Sequence, residues 1–433
     1  MNNSTALAAV RQIARGELTS EAVMRSYLDR IQEMENKVQA WEYINADQAL
    51  SGARAADRSK IRGALHGLPL AVKDIIDTSN MPTSYGSQIY QGHRPVSDAA
   101  CVALARAAGA IILGKTVTTE FATGASGKTR NPHNYRHTPG GSSSGSPAAV
   151  ACGMVPLALG TQTHGSTIRP ASFCGVVGYK PTYGKADLTG VKTLASGLDT
   201  LGLFAGSVAD VALLASVVTG GRVLPTPSMQ TPRIGVLDTS PLGSADLVTQ
   251  QLLLEIVHRL SKAGVPIRDL PSPPTMSSWR DIQDVLLSWE AVQAFTWERL
   301  FRRDALHPET RQAFEIYEQS ATPESYEISL TYAREARAGC INLFADCDVL
   351  LVPAAIGEAP EGLESTGDAR FNGLWSMLQL PCITLPMGRG PTGLPIGLQL
   401  VGPRGEDDRL LRVASFIERQ LGDTPGLLTP KVR

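Results

Sequence analysis

Residues 138–170 read TPGGSSSGSPAAVACGMVPLALGTQTHGSTIRP. Two glycine-bearing polar loops, Gly140-Gly141-Ser142-Ser143-Ser144-Gly145 and Thr161-Gln162-Thr163-His164-Gly165-Ser166, flank a small-residue segment through Ala148, Ala149, Ala151 and Gly153. Glycine lets a backbone turn tightly and approach a ligand, and successive exposed N–H groups in such turns hold developing negative charge. The pattern points to acyl chemistry, with serines as nucleophile and proton carrier. A serine hydroxyl is a poor nucleophile near neutral pH until a base takes its proton. The rest of the chain must therefore deliver a base to this stretch.

Working outward, residues 65–72 (LHGLPLAV) read as an apolar strand ending at Lys73-Asp74. Lysine is seldom buried unless something pairs it. In a dry strand-end pocket it loses the solvation of its charged form, its pKa falls, and a neutral amine becomes available to deprotonate serine without histidine. Residues 4–14 and 20–34 read as helices, the second with Met24, Tyr27, Leu28, Ile31 and Met34 at helical spacing behind a Thr19/Ser20 cap. Further strands are expected at 110–113, 175–179, 233–237, 349–352, 382–385 and 396–400, and helices at 98–108, 207–218, 245–263, 282–302, 323–344 and 407–421. A turn-rich polar segment covers 114–139, and 225–232 resembles a linker. Strands alternating with helices over this length argue for an α/β sheet covered by helices on both faces.

Lys plus Arg number 40 against 41 Asp plus Glu, a formal charge of -1, so no global field favours nucleic acid or an anionic membrane. Six cysteines lie without CxxC spacing, mostly beside apolar residues, as reduced core thiols of a cytoplasmic protein do. The N-terminus lacks the continuous apolar run of a signal peptide, and no uncharged apolar run reaches membrane-spanning length. His, Cys and carboxylates show no metal-ligand spacing.

Two patterns mislead. Residues 109–116 (GAIILGKT) match the phosphate-cradling GxxxxGK[ST] loop, but their middle is itself an apolar strand, which leaves Lys115 as a solvated residue after it. Gly141-Ser142-Ser143-Ser144-Gly145 satisfies GxSxG, which makes Ser143 a candidate nucleophile with His258 or His307, yet no apolar strand precedes it.

The better constellation joins Lys73, Ser142 and Ser166. Residues 67–74 (GLPLAVKD), the GGSSSGS loop and Gly165-Ser166-Thr167-Ile168-Arg169-Pro170 together resemble the amidase signature family, with 69 residues from Lys73 to Ser142 and 24 from Ser142 to Ser166. The likeness extends to residues 176–182 and 393–399. Within the family the pattern is most similar to the malonamidase group, through Ile75-Ile76-Asp77-Thr78, Asn80-Met81-Pro82-Thr83, the triple serine and Ser365-Thr366-Gly367-Asp368. The resemblance implies one amidase domain over 1–433: N-terminal helices at 1–60, a catalytic core at 61–225, a helical elaboration over the site at 240–345, and a return to a mixed central sheet at 346–433. It implies Ser166 as the acylated nucleophile, Ser142 as a bridging serine held through a cis peptide, Lys73 as base, and backbone N–H groups of Thr163, His164, Gly165 and Ser166 as the oxyanion hole. Ser143 and Arg169 are expected at the substrate. Arg169 has a second reading as a loop anchor, since an arginine fork suits either role.

Three positions depart from the family pattern. His164 stands where members commonly have glycine, and a positive φ there strains the turn. Gln162 replaces a frequent aspartate, and Pro147 a small residue. The reaction expected is cofactor-free hydrolysis of a small-molecule amide, with no nucleic-acid or membrane partner and a homodimer left open. Rival readings are a glutamine-hydrolysing amidotransferase subunit, a non-catalytic binding protein on the same scaffold, and the Ser143 hydrolase.

Overall fold

The computed structural model describes residues 5–59, 63–220 and 231–422. The linker expected at 225–232 lies outside them except for its last two residues. Eleven described strands form one sheet: β1 (Trp41–Ile44), β2 (Pro69–Lys73), β3 (Ile111–Thr116), β4 (Leu157–Gln162), β5 (Val177–Lys180), β6 (Thr200–Ala205), β7 (Ile234–Leu237), β8 (Ile267–Leu270), β9 (Val349–Pro353), β10 (Cys382–Arg389) and β11 (Pro395–Val401). The described α-helices, in chain order, are α1 (Ala6–Ala14), α2 (Ser20–Val38), α3 (Ala46–Arg58), α4 (Ala100–Ala107), α5 (Gly145–Ala151), α6 (Ile168–Cys174) and α7 (Val208–Val218) in the first half of the chain. In the second half they are α8 (Leu247–Lys262), α9 (Met276–Ala294), α10 (Thr296–Phe301), α11 (Pro308–Ser320), α12 (Pro323–Gly339), α13 (Gly373–Met377) and α14 (Asp407–Leu421).

The sheet order is β1-β3-β2-β4-β6-β5-β10-β11-β9-β7-β8. β2 runs parallel to β3 and β4, and β7 parallel to β8 and β9; the remaining pairs are antiparallel, so the sheet is mixed. Successive strand side chains point to opposite faces. Leu70, Val72, Leu157 and Leu159 accordingly enter one core, shared with α7 and α14, while Ala71 and Ala158 enter a second, shared with α2 and α5. The small residues on this second face let α5 pack closely. Lys73 follows Ala71 by two positions, onto the face where α5 and the serine loop before it sit.

Because β2, β3 and β4 are parallel, Lys73, Thr116 and Gln162 end their strands at one end of the sheet. Antiparallel β6 begins there too, with Thr200 opposite Gln162. The loops after β2, β3 and β4 and the loop before β6 thus converge on one edge of the molecule.

The sequence reading misses β1, β4, β6, β8, α3, α5, α6, α11 and α13. Leu157-Ala158-Leu159-Gly160-Thr161-Gln162 is a fully buried strand whose small and polar residues hide its apolar core, and its last two residues belong to the strand rather than to a loop. The strand expected at 65–72 starts at Pro69, because Leu65 to Gly67 fold into a turn. The helix expected at 282–302 begins earlier and breaks at Phe295 into α9 and α10. Pro147 lies in the first turn of α5, where a missing N–H costs nothing. All six cysteines are free and buried, and no described helix is long and apolar enough to cross a membrane.

Candidate active site

Lys73 is fully buried and donates 2.8 Å hydrogen bonds to Ser142 Oγ and to Thr161 Oγ1. Burial lowers its pKa from 10.5 to about 7, against the opposing charge of Asp199. No carboxylate forms an ion pair with it among the described residues. Near neutral pH the site therefore holds the amine in its neutral form in about half of the copies, against a hydroxyl, which is what a lysine base requires.

The peptide between Gly141 and Ser142 is cis. Thr119 N–H and Ser144 N–H both donate to Ser142 O, at 3.1 and 3.0 Å, and Gly145 N–H donates to Val117 O at 3.0 Å. Gly145 is required where it stands: a Cβ there would come within 2.6 Å of Val117 N and closer still to Ala40 O, both backbone atoms. Ser146 Oγ donates to Leu159 O at 2.8 Å. Ser143 is buried, with its hydroxyl donating to Thr161 O at 3.2 Å. That hydroxyl ties the loop to β4. His307 caps α11 and His258 sits on the exposed side of α8, so neither ring is bonded to Ser143.

Ser166 lies in the turn between β4 and α6, 8 % exposed, and its hydroxyl makes no hydrogen bond among the described residues. Gln162 shapes this turn: its Oε1 accepts from Thr167 N–H at 3.0 Å and Ile168 N–H at 3.1 Å, capping the backbone that enters α6. The carboxamide does here what an aspartate carboxylate does, accepting two backbone donors, without adding a charge beside Lys73. Thr163 Oγ1 donates to Asp199 Oδ1 at 2.6 Å, and Asp199 Oδ2 accepts from Leu194 and Ala195 N–H at 2.8 and 3.1 Å. Burial raises the Asp199 pKa to about 6, opposed by these donors.

His164 has no positive φ, so the strain anticipated for a non-glycine residue is absent. Its ring is partly buried, and burial followed by the Arg169 charge lowers its pKa to about 4, keeping it neutral. Arg169 is buried, with Nη1 donating to Gly367 O at 2.8 Å and Nη2 donating to Gly141 O at 2.7 Å and Thr366 Oγ1 at 3.0 Å. It clamps the serine loop to the 366–367 turn. Its Nε has no partner, and burial lowers its pKa to about 10.

Lys115 corrects the sequence reading most sharply. Far from solvated, it is fully buried, donating to Ile76 O at 2.7 Å and Thr83 Oγ1 at 2.6 Å and pairing with Asp74 Oδ1 at 3.1 Å. The residue after Lys73 is thereby fixed from the neighbouring strand. Sequence reasoning also misses Thr161 and Asp199. The signal for Asp199 is the one that exposes Lys73, an ionisable residue abutting an apolar strand (Leu201 to Phe204).

A family model described as "Amidase" matches residues 22–411. Among similar curated proteins are the glutamyl-tRNA(Gln) amidotransferase subunits A of Anaeromyxobacter sp. (strain K), 33 % identical over 95 % of both chains, and of Acidothermus cellulolyticus, 32 % identical over 98 % of this chain and 95 % of that one. Among solved structures, an amidase superposes with a TM-score of 0.89 at 28 % identity, covering 97 % of this chain and all of that one. 6-Aminohexanoate cyclic dimer hydrolase does so at 0.87 and 26 %, covering 99 % and 100 %. The native peptide amidase of Stenotrophomonas maltophilia gives 0.82 and 27 %, covering 99 % of each chain.

Proposed function

The chain belongs to the amidase family and is an amide hydrolase, and from that premise we propose that it cleaves a small-molecule amide through an acyl-enzyme on Ser166. The observation that carries the proposal is the buried Lys73 amine 2.8 Å from Ser142 Oγ, with a pKa of about 7. Neutral Lys73 takes the Ser142 proton while Ser142 takes that of Ser166, whose oxygen attacks the amide carbon. Backbone N–H groups between Thr163 and Ser166 receive the oxyanion, each such donor being worth on the order of 3 kcal/mol. The relay then runs backward to protonate the departing amine, and water releases the acid. Among the described residues the Lys73–Ser142 link is made and no hydrogen bond joins Ser142 to Ser166; catalytic contacts commonly tighten only around substrate. Ser166→Ala abolishes both turnover and labelling by a fluorophosphonate, and retained labelling would overturn the assignment.

The malonamidase-like reading, a substrate bearing a carboxylate such as malonamate, rests on Arg169. Its buried charge has no carboxylate in an ion pair among the described residues, and Nε is free to donate, although both terminal nitrogens already hold the loops. On Arg169→Ala, a carboxylated amide loses far more kcat/KM than a neutral amide if Arg169 grips substrate. Equal losses mark a loop clamp alone.

A second reading, a glutamine-hydrolysing subunit that works with partner chains, is favoured by the full-length likeness to amidotransferase A subunits. Efficient hydrolysis of small amides by the isolated chain counts against it. The six buried free thiols fit the cytoplasmic setting proposed with either reading.

A further inference from the structure

Of three unbonded polar groups around the turn that carries Ser166, two lack the partners their burial demands and one, the His164 ring, is half-buried. Gln283, on the inner face of α9, is 1 % exposed, its side chain makes no hydrogen bond among the described residues, and its Nε2 is enclosed without an acceptor. The ring of His164 is equally unbonded. These two side chains meet over Gly373, the first residue of α13. Gln283 Oε1 and His164 Nε2 each lie 2.5 Å from the point a Cβ at 373 would occupy, with His164 Cδ2 nearer still. Glycine at 373 is what makes room for them. The third group is Asn372 Oδ1, buried and without a donor. Its amide is held one way round, because Nδ2 donates to Ala354 O at 3.0 Å. Oδ1 therefore faces Gly165, lying 2.8 Å from where a Cβ on that glycine would be.

A buried polar group left without a hydrogen bond costs about 1–3 kcal/mol. Two such groups, one on α9 and one just before α13, converge with the unbonded, half-buried His164 ring on the turn that carries Ser166. We propose that Gln283 and His164, with Asn372, form a specificity-determining subsite for the acyl part of the substrate, which selects an uncharged substituent able both to accept and to donate hydrogen bonds, such as a second carboxamide. This rests on the amide-hydrolase reading of Ser166. The chemistry follows from the groups present. Gln283 Nε2 can only donate and Asn372 Oδ1 can only accept, while a neutral imidazole offers one of each. His164 is held neutral by its surroundings, so it does not supply a charge for a carboxylate. A carboxylate would also set an oxygen against Asn372 Oδ1 with no proton between them.

The test is made on Ser166→Ala protein by calorimetric titration with malonamide, its alkyl isostere 3-methylbutanamide, and malonamate. Malonamide is expected to bind at least about tenfold tighter than the isostere, the scale of one hydrogen bond to a buried group. Adding Gln283→Leu brings that ratio to within about twofold. Gly373→Ala, whose Cβ displaces both the imidazole and the Gln283 carboxamide without removing either, lowers it as well. In the free protein Gln283→Leu leaves the melting temperature unchanged or raises it, because an unsatisfied carboxamide is replaced by an apolar group; a glutamine kept for structure would lower it. The inference is overturned by equal affinities for malonamide and its isostere, by a ratio that survives Gln283→Leu, by a fall in melting temperature, or by malonamate binding tightest whatever stands at 283. Continued hydrolysis by the Ser166→Ala protein would strike the nucleophile assignment instead, and the binding ratios measured with the variants would still decide the subsite.

Discussion

Acylation of Ser166 should depend on a single group that loses its proton near neutrality, and the dependence is steep enough to measure. An amine at the ordinary value of 10.5 is neutral in roughly one copy in 3000 at pH 7, whereas one at about 7 is neutral in about half. Burial of Lys73 thus raises the population of competent base on the order of a thousandfold. The sign is fixed by the neutral form being active: the rate climbs as pH rises through about 7 and falls tenfold per pH unit below it. The charge of Asp199 favours the ammonium and pulls the other way, so Asp199→Asn should shift the limb toward acid. The assay is the second-order rate of fluorophosphonate labelling between pH 5 and 9, with intrinsic reagent hydrolysis subtracted, in parallel with ammonia release from an amide. Lys73→Met should remove the limb together with nearly all labelling. A flat profile, a limb near pH 10, or an alkaline shift on Asp199→Asn would refute the reasoning.

The same ionisation bears on stability. Between about pH 7 and 10.5 the unfolded chain carries a proton on Lys73 that the folded chain lacks, so denaturant midpoints should rise with pH across that window, and Lys73→Met should flatten this contribution. Lys115→Met leaves Asp74 buried without its cation and should cost about 3–5 kcal/mol in urea unfolding. Gln162→Leu orphans the N–H groups of Thr167 and Ile168, at about 1–3 kcal/mol for each buried group, and should lower the labelling rate of Ser166. Gln162→Glu restores the acceptor but adds a charge near Lys73, so its labelling limb should move to higher pH.

Much of the core was legible because its strands are simple. Runs such as Val349–Pro353 and Pro395–Val401 declare themselves as buried strands by apolar content alone. Lys73 was legible for a related reason, since a lysine closing an apolar strand needs an explanation. β4 was hidden because a helix packs against one of its faces at close range, which demands glycine and alanine where a strand signal wants branched residues. Thr161 went unread with it. Lys115 shows the limit from the other side: the residues that bury it, Asp74, Ile76 and Thr83, lie more than thirty positions earlier, and local sequence carries no trace of that pairing. The subsite around Gly373 was likewise out of reach, since it joins residues 164, 283 and 372 only through the fold.

The pairing of β5 with β10 sets a constraint on how the polypeptide can be made. β5 is complete by residue 180, yet its partner is not synthesised until residues 382–384, some two hundred codons later. At typical synthesis rates of 5–20 residues per second, that open edge waits roughly ten seconds or more on the ribosome with unpaired backbone donors and acceptors. A nascent chain arrested before residue 382 should therefore be a strong client for chaperones, and C-terminal truncations should precipitate rather than yield a working fragment, even though every residue assigned to the chemistry has already emerged.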